Sequence, residues 1–332
     1  MTENGPLRLS KCHSSLIPFL ARGDFCQTVD GGQHARCADV QIWFGQEKTK
    51  RPPRSEAAMY STLLVCLEPS RDNAPLLKIT RNLAERSDAF VIGVAASRIL
   101  QLAYSVRGLT GDIFELDRQE IDRNMEAAEK EFRAAFQHSQ SHLEWRAVVT
   151  TDPPMTQLAS QTRSADLLVV EADHSESVRG GSTIDISDLV MRSGRPVLIV
   201  PAGTDELPAQ NVIVAWKNAR EARRAITDGL PFLKAANRVL VVEIADANRI
   251  AKARESLADV VTWLKRHGVE AEAMAVPETA DHALQLAAIA INEAADLIVA
   301  GAYGHSRLQE WALGGVTYDL LLRSSIPALL SH

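Results

Sequence analysis

The chain contains an internal repeat, which constrains its fold more than any other feature of the sequence. Four apolar or helix-forming segments recur in the same order, so the sequence predicts a tandem duplication. The matched pairs are Thr62–Leu67 with Asn211–Trp216, Ala165–Val170 with Ala295–Ala300, Asp188–Ser193 with Asp319–Ser324, and Pro196–Val200 with Pro327–Leu330. The length of 332 residues suits two domains of about 140–150 residues. We therefore expect domains at 59–202 and 211–332, joined by a linker at 203–210.

Residues 1–58 precede the repeat and show no sustained apolar period. Met59 stands directly before the first predicted strand, so we interpret 1–58 as a disordered extension or as the product of a start site assigned too far upstream. This leader contains Cys12, Cys26, His34 and Cys37, whose spacings fit no compact zinc pattern. A disulfide framework is not expected in a cytosolic chain.

The composition limits the classes of protein that the chain can belong to. Hydrophobic residues make up 46% and charged residues 23%, which is typical of a globular domain with a well-filled core. No apolar run of about 18 residues occurs, and the N-terminus lacks the layout of a signal peptide, so we expect a cytoplasmic protein without a membrane partner. The net charge of −6 argues against nonspecific binding of nucleic acid.

Short apolar strands alternate with amphipathic helices in both halves of the chain, which predicts parallel sheets covered on both faces. In the second half the predicted strands are Val212–Trp216, Val239–Ile244, Glu270–Val276, Leu297–Ala300 and Ile326–Leu330. One predicted helix has Ala222, Ile226, Leu230 and Leu233 on one face and begins with an Asn218–Glu221 capping box. A second helix ends at Gly268. Two more are predicted at about 281–292 and near Val316–Arg323. In the first half, Ile121, Met125, Ala128, Phe132 and Ala135 form a core-facing helical stripe.

A glycine pattern follows the predicted strand Leu297–Ala300. Gly301 and Gly304 are followed, after nine residues, by Gly314 and Gly315. Glycines let the backbone approach a ligand closely, and a helix N-terminus after such a loop favours an anion. The pattern indicates a phosphate site, with ordinary loop glycines as the alternative.

The G-x2-G-x9-G spacing resembles the nucleotide-binding signature of the universal stress protein family, and the resemblance covers about residues 59–332 as two copies. It implies a five-stranded parallel sheet between helices in each copy, the fold of the adenine nucleotide alpha hydrolases, with pairing through the last strands. Some members bind ATP and others do not. By this resemblance, ATP or a related adenine nucleotide contacts Gly301, Gly304, His305, Arg307, Gly314, Gly315, Val316 and Thr317.

The second copy departs from the family pattern at three positions. Gly315 stands where Ser or Thr usually follows the third glycine, so one hydroxyl contact is missing. Lys217 replaces the usual Asp after the first strand; it is suited to pair with a phosphate but not to ligate Mg²⁺, whose presence stays open. Trp216 is either a stacking wall for adenine or a buried aromatic at the strand end.

The first copy lacks the glycine loop. Glu171 stands where Gly301 stands in the second copy, His174 replaces Gly304, and Glu68 follows the first strand. Because Glu171 and Asp173 would repel phosphate, we expect this copy to bind no nucleotide and to serve as a structural partner.

Motifs of the common catalytic classes are absent, including the Walker phosphate loop, the zinc helix H-E-x-x-H and the G-x-S-x-G elbow. Three functions remain: a nucleotide-responsive stress protein, a protein-interaction module without ligand, and a slow ATP hydrolase, for which no general base is evident. We expect the two copies to pair within the chain through Val197–Val200 and Ala328–Leu330. A homodimer of chains and further protein partners stay open.

Overall fold

The structure is a computed structural model that describes residues 60–98, 111–150, 154–172, 186–279, 281–302 and 325–332, without the side chains of 111–114, 154 and 155. All of these residues belong to one compact unit, Pro52–His332. The leader at 1–58 with its Cys and His residues, and the helix predicted near Val316–Arg323, lie outside the described residues.

Strands and helices alternate through both halves of the described chain. The first half consists of β1 (Thr62–Leu67), α1 (Ala74–Ser87), β2 (Phe90–Arg98), α2 (Gly111–Ala135), β3 (Leu143–Thr150), α3 (Pro154–Gln161), β4 (Leu167–Glu171), α4 (Ile186–Ser193) and β5 (Val197–Val200). The second half consists of β6 (Asn211–Ala215), α5 (Arg220–Asp228), α6 (Leu230–Ala235), β7 (Arg238–Ala245), α7 (Ile250–Arg266), β8 (Ala271–Pro277), α8 (His282–Asn292), β9 (Leu297–Gly301) and β10 (Ala328–Ser331).

The strands form one ten-stranded sheet in the order β3-β2-β1-β4-β5-β10-β9-β6-β7-β8. Neighbours within each half are parallel, whereas β5 and β10 pair antiparallel, with Ala328 opposite Ile199 and Leu330 opposite Val197. The strand order reverses between β1 and β4 and again between β6 and β9. In open parallel sheets, ligands bind beyond the carboxyl ends of the strands at such reversals.

Helices cover both faces of the sheet, as the apolar strands require. One face packs against α1, α2, α5 and α7, and its core includes Leu63, Phe132, Phe232 and Val299. The other face packs against α3, α4 and α8, and its core includes Leu64, Leu168, Val190 and Ile298. Adjacent residues of one strand thus enter opposite cores, so the period of two along the strands decides which helix each side chain meets.

Matched aspartates fix the start of the central strand in each half. The carboxylate of Asp166 accepts hydrogen bonds from the backbone N–H groups of Ser61 (2.9 Å) and Thr62 (3.0 Å). Asp296 accepts from the N–H groups of Gln210 (2.8 Å) and Asn211 (3.0 Å). The recurring Ala-Asp pair of the repeat therefore has the same structural role before β4 and before β9.

The predicted helix with Ala222, Ile226, Leu230 and Leu233 on one face is interrupted in the structure. Its four apolar residues are buried or partly buried as expected, but α5 ends at Asp228 and α6 begins at Leu230. Pro231 explains the break, because its ring nitrogen has no hydrogen to donate to the preceding turn. The Asn218–Glu221 capping box is also wrong, since the N-cap is Ala219 and the Asn218 side chain instead accepts from Arg223 at 2.7 Å.

Other local predictions are confirmed. Met125, Ala128 and Phe132 lie on the buried side of α2. Gly268 follows α7 at φ +79, and its N–H donates to the carbonyl of Lys265 at 3.0 Å, as expected of a helix-ending glycine. None of the described helices is long and apolar enough to cross a membrane.

The β5–β10 pairing makes a prediction about residues 211–332 expressed alone. Removing the first half would expose the edge of β10, with Leu330 and its neighbours, and an open apolar edge recruits another strand. We expect this fragment to form dimers or larger aggregates in sedimentation velocity at concentrations where the full chain shows no such association. A well-folded monomeric fragment would contradict the pairing as the reason that the two halves stay together.

Candidate functional site

The carboxyl edge of the second half is formed by the ends of β6, β7, β9 and β10, beside the reversal in strand order. Of the predicted nucleotide-binding residues, Gly301, Trp216 and Lys217 are described, and they lie at the ends of β9 and β6. The others lie outside the described residues: Gly304, His305, Arg307, Gly314, Gly315, Val316 and Thr317. The structure thus brings the start of the glycine pattern to the edge where a ligand is expected.

Gly301 is required at this edge by the packing of a helix. A Cβ atom on Gly301 would lie 2.5 Å from the backbone N of Ala222 and 2.5 Å from the backbone C of Glu221. Real side chains do not approach backbone so closely, so only glycine lets the first turn of α5 rest on the end of β9. This position therefore has a structural reason that is independent of any ligand.

Trp216 does not lie where it could stack on a base. Its residue exposure is 8%, it belongs to the core under α5 and α7, and its indole N–H donates to the Ser256 hydroxyl at 3.0 Å. An indole fixed in this way offers no open ring face to adenine. The suggestion of an adenine wall is therefore replaced by its alternative, a buried aromatic at the strand end.

Lys217 is exposed and lies close enough to Glu243, near the end of β7, to influence its charge. The carboxylate oxygen Oε2 of Glu243 is buried and has no hydrogen-bond partner in the part of the chain that the structure describes. Burial raises the pKa of Glu243, and the positive charge of Lys217 opposes that rise. Lys217 thus remains suited to attract a phosphate, but the nearby Glu243 carboxylate reduces the positive potential that Lys217 offers.

The end of β10 completes this edge. The backbone N–H of Ala302 donates to the carbonyl of Ser331 at 2.8 Å, and Nδ1 of His332 lies 3.0 Å from the carbonyl oxygen of Ala302. The hydroxyl of Ser331 is buried, and none of the described residues forms a hydrogen bond with it. Ser331 is in register with Gly301, so its side chain lies on the α5 face of the sheet.

The corresponding edge of the first half is built differently. Its β1–α1 loop is tied by Asn73, whose side-chain oxygen accepts from the N–H of Glu68 at 3.0 Å and whose amide donates to Glu131 on α2 at 3.0 Å. Glu171, at the position of Gly301, accepts from the N–H of Gly203 at 3.4 Å. In the described part of this edge, polar groups of the chain itself therefore satisfy one another.

The described part of the chain contains neither a group of side chains placed to bind a metal ion nor a reactive thiol. Within it, no group of three or more His, Cys, Asp or Glu side chains is placed to hold a metal ion. Cys66 is buried in β1, and this burial, helped by the charge of Glu68, raises the pKa of its thiol to about 12. The thiol is therefore protonated and inert near neutral pH, as its place in an apolar strand predicts.

Known proteins match this chain in structure. No protein-family model and no curated protein sequence matches it. A universal stress protein from Archaeoglobus fulgidus DSM 4304 matches with a TM-score of 0.63 at 14% identity, over 83% of this chain and 97% of that chain. A Pseudomonas aeruginosa UCBPP-PA14 protein, provisionally assigned as a universal stress protein, has a TM-score of 0.55 at 14% identity, over 83% and 95%. A functionally unknown protein from Pseudomonas aeruginosa PAO1 has a TM-score of 0.52 at 14% identity, over 83% and 93%.

At this level of identity the comparisons establish the fold. The chain has the fold of universal stress proteins, an α/β fold with a large, mostly parallel sheet between helices, and the predicted fold class is confirmed. Sequence reasoning missed Glu243, although a single acidic residue inside the apolar run of β7 was a usable signal. It also missed the contact of Gly301 with α5, which depends on tertiary packing.

The packing of Gly301 predicts a loss of stability in the absence of ligand. Gly301→Ala forces α5 away from the end of β9, and overpacking of this kind typically costs about 1–3 kcal/mol. Urea unfolding of the ligand-free full chain should show this loss relative to wild type. Unchanged stability would mean that α5 adjusts freely and that the glycine is needed only for close approach to a ligand.

The buried Oε2 of Glu243, which has no hydrogen-bond partner among the described residues, predicts a pH-dependent gain in thermal stability from Glu243→Gln. A carboxyl group whose pKa is raised in the folded state stabilises the protein below its ordinary pKa, and this contribution is lost as pH rises through the raised value. The variant should therefore have a higher Tm than wild type at about pH 7 and a similar Tm at about pH 4. Glu270→Gln, at a side chain that is 84% exposed, is the matched control and should change neither value. A gain that is equal at both pH values would exclude the carboxylate as the cause.

Proposed function

We propose that this chain is a tandem universal stress protein that binds an adenine nucleotide, such as ATP, at the carboxyl edge of its second half, and that responds to stress through this ligand. One observation carries the proposal. The G-x2-G-x9-G pattern begins at Gly301, the last residue of β9, beside the reversal in strand order between β6 and β9. A phosphate-binding pattern and the place where this class of sheet binds ligands thus coincide.

The first turn of α5 adds support. Its N-cap, Ala219, has no side chain that could accept a hydrogen bond from this turn. The same turn rests on Gly301, which places it beside the start of the glycine pattern. Helix N-termini favour anions, and the phosphates in this proposal lie over Gly301–Gly304 and Gly314–Thr317.

The finer features of the proposal follow from the departures from the family pattern. Without a hydroxyl at Gly315, the site loses one hydrogen bond to a charged group, which costs on the order of 1.5–3 kcal/mol, or roughly tenfold or more in affinity. Lys217 offsets part of this loss by attracting phosphate, in place of the carboxylate that would hold Mg²⁺. The first half binds no nucleotide.

A protein-interaction module without ligand is the second candidate function, and a specific observation favours it. Gly301 and Trp216 have complete structural explanations, in the packing of α5 and in the core. In addition, α8 exposes a stripe of apolar side chains, with Leu284 at 67% and Ile291 at 68% exposure. An apolar stripe of this kind is more typical of a surface that meets another protein than of a solvated helix.

Calorimetry with ATP separates these two functions. Wild type should release heat on titration, Gly304→Asp should abolish binding by adding bulk and negative charge where phosphate lies, and Lys217→Ala should weaken it. Ala202→Asp is the matched control, because it adds the same carboxylate to an exposed loop at the carboxyl edge of the first half and should leave binding unchanged. If wild type gives no heat with ATP at about 1 mM, or if Gly304→Asp binds equally well, the interaction module replaces the nucleotide site.

A further inference from the structure

The antiparallel junction brings a loop of the first half to the nucleotide edge of the second. Leu330 is opposite Val197 in the β5–β10 ladder, at the carboxyl end of β10 and the first residue of β5. Continuing this antiparallel register by two residues places Arg195, from the loop between α4 and β5, beside His332. A residue of the first half thus stands at the carboxyl edge of the second half.

The other neighbour of His332 is the start of the glycine pattern. His332 lies against Ala302, with 3.0 Å between Nδ1 and the carbonyl oxygen, and Ala302 directly follows Gly301. Arg195, His332 and Ala302 therefore follow one another across the edge. Two strand spacings, about 10 Å, separate the backbone of Arg195 from that of Ala302, a gap that a long side chain and a phosphate chain can close together.

The charge of Arg195 is available for a ligand. Its side chain is exposed, and the described residues offer it no hydrogen bond or ion pair. Four other arginines of the described chain near this edge are engaged: Arg192 pairs with Asp188, Arg220 with Glu221, Arg223 with Asn218, and Arg224 with Asp228 and with the carbonyl of Gly194. An uncommitted guanidinium beside a phosphate site is suited to bidentate contact with phosphate oxygens.

We propose that Arg195 of the first half contacts the outer phosphates of the nucleotide bound by the second half, so that the site is a composite of both halves. This inference rests on the nucleotide function proposed above. Arg195 lies beyond β10, two strands away from the end of β9, so it reaches a triphosphate that extends toward β10 but not the single phosphate of AMP. Arg195 therefore selects ATP over AMP.

Calorimetry of the full chain with ATP and with AMP tests this selection. Loss of a hydrogen bond to a charged group predicts that Arg195→Gln weakens ATP binding about tenfold or more and leaves AMP binding unchanged. Arg195→Lys keeps the positive charge but loses the planar guanidinium. Its affinity for ATP should lie between those of wild type and Arg195→Gln. Arg192→Gln, on the preceding helix and already paired with Asp188, is the matched control and should bind both nucleotides as wild type does.

The outcomes separate this inference from the function on which it rests. If wild type binds ATP and Arg195→Gln binds it equally well, the composite site is wrong and the nucleotide function stands. If Arg195→Gln weakens the binding of ATP and the binding of AMP equally, the guanidinium does not act through the outer phosphates. If wild type binds neither nucleotide, the nucleotide function fails and this inference with it. Thermal unfolding without ligand should give the same Tm for Arg195→Gln and wild type, because the side chain is exposed.

Discussion

The antiparallel pairing of β5 with β10 determines the architecture of the described chain. Each half alone would present an apolar edge strand, and the two edges cover one another: Leu198 and Leu329 are opposite one another and fully buried. Contacts around the ladder reinforce it, such as the hydrogen bond of 2.7 Å from the Tyr60 hydroxyl to the carbonyl of Asp228. Because the pairing is antiparallel, the edge where strands of the second half end adjoins the edge where strands of the first half begin.

The sequence predicted the parts of this fold that depend on local periodicity. Strands, the buried stripe of α2 and the helix end at Gly268 follow from spacings of two or of three to four residues, which the neighbouring chain sets by itself. The interruption after Asp228 was missed because apolar spacing continues across Pro231, although the hydrogen bond does not. The Asn218 cap was wrongly predicted because the helix begins one residue later than the side-chain pattern suggests, with Ala219 as its N-cap.

The sequence predicted that Gly301 ends a strand of the second half, but not how Gly301 packs. A glycine pattern after an apolar strand located the carboxyl edge of the second half from sequence alone. That Gly301 touches α5, and that Trp216 is turned into the core, depend on how a helix settles on the sheet. Arg195 gave no sequence signal, because the register from which we infer its place beside His332 joins two strands that are far apart in the chain.

The two explanations of Gly301, helix packing and ligand binding, support one another physically. Without a Cβ at this position, α5 starts directly over the end of β9, and this brings the N–H groups of its first turn to the edge where a phosphate would lie. In the first half, Glu171 takes this position and the longer β1–α1 loop is tied by Asn73. The first half lacks the glycine pattern, yet it covers the edge of β10 and, in the composite site that we propose, supplies Arg195 to the second half. Pairing of the halves therefore gives a reason for keeping a first half that we propose to bind no nucleotide.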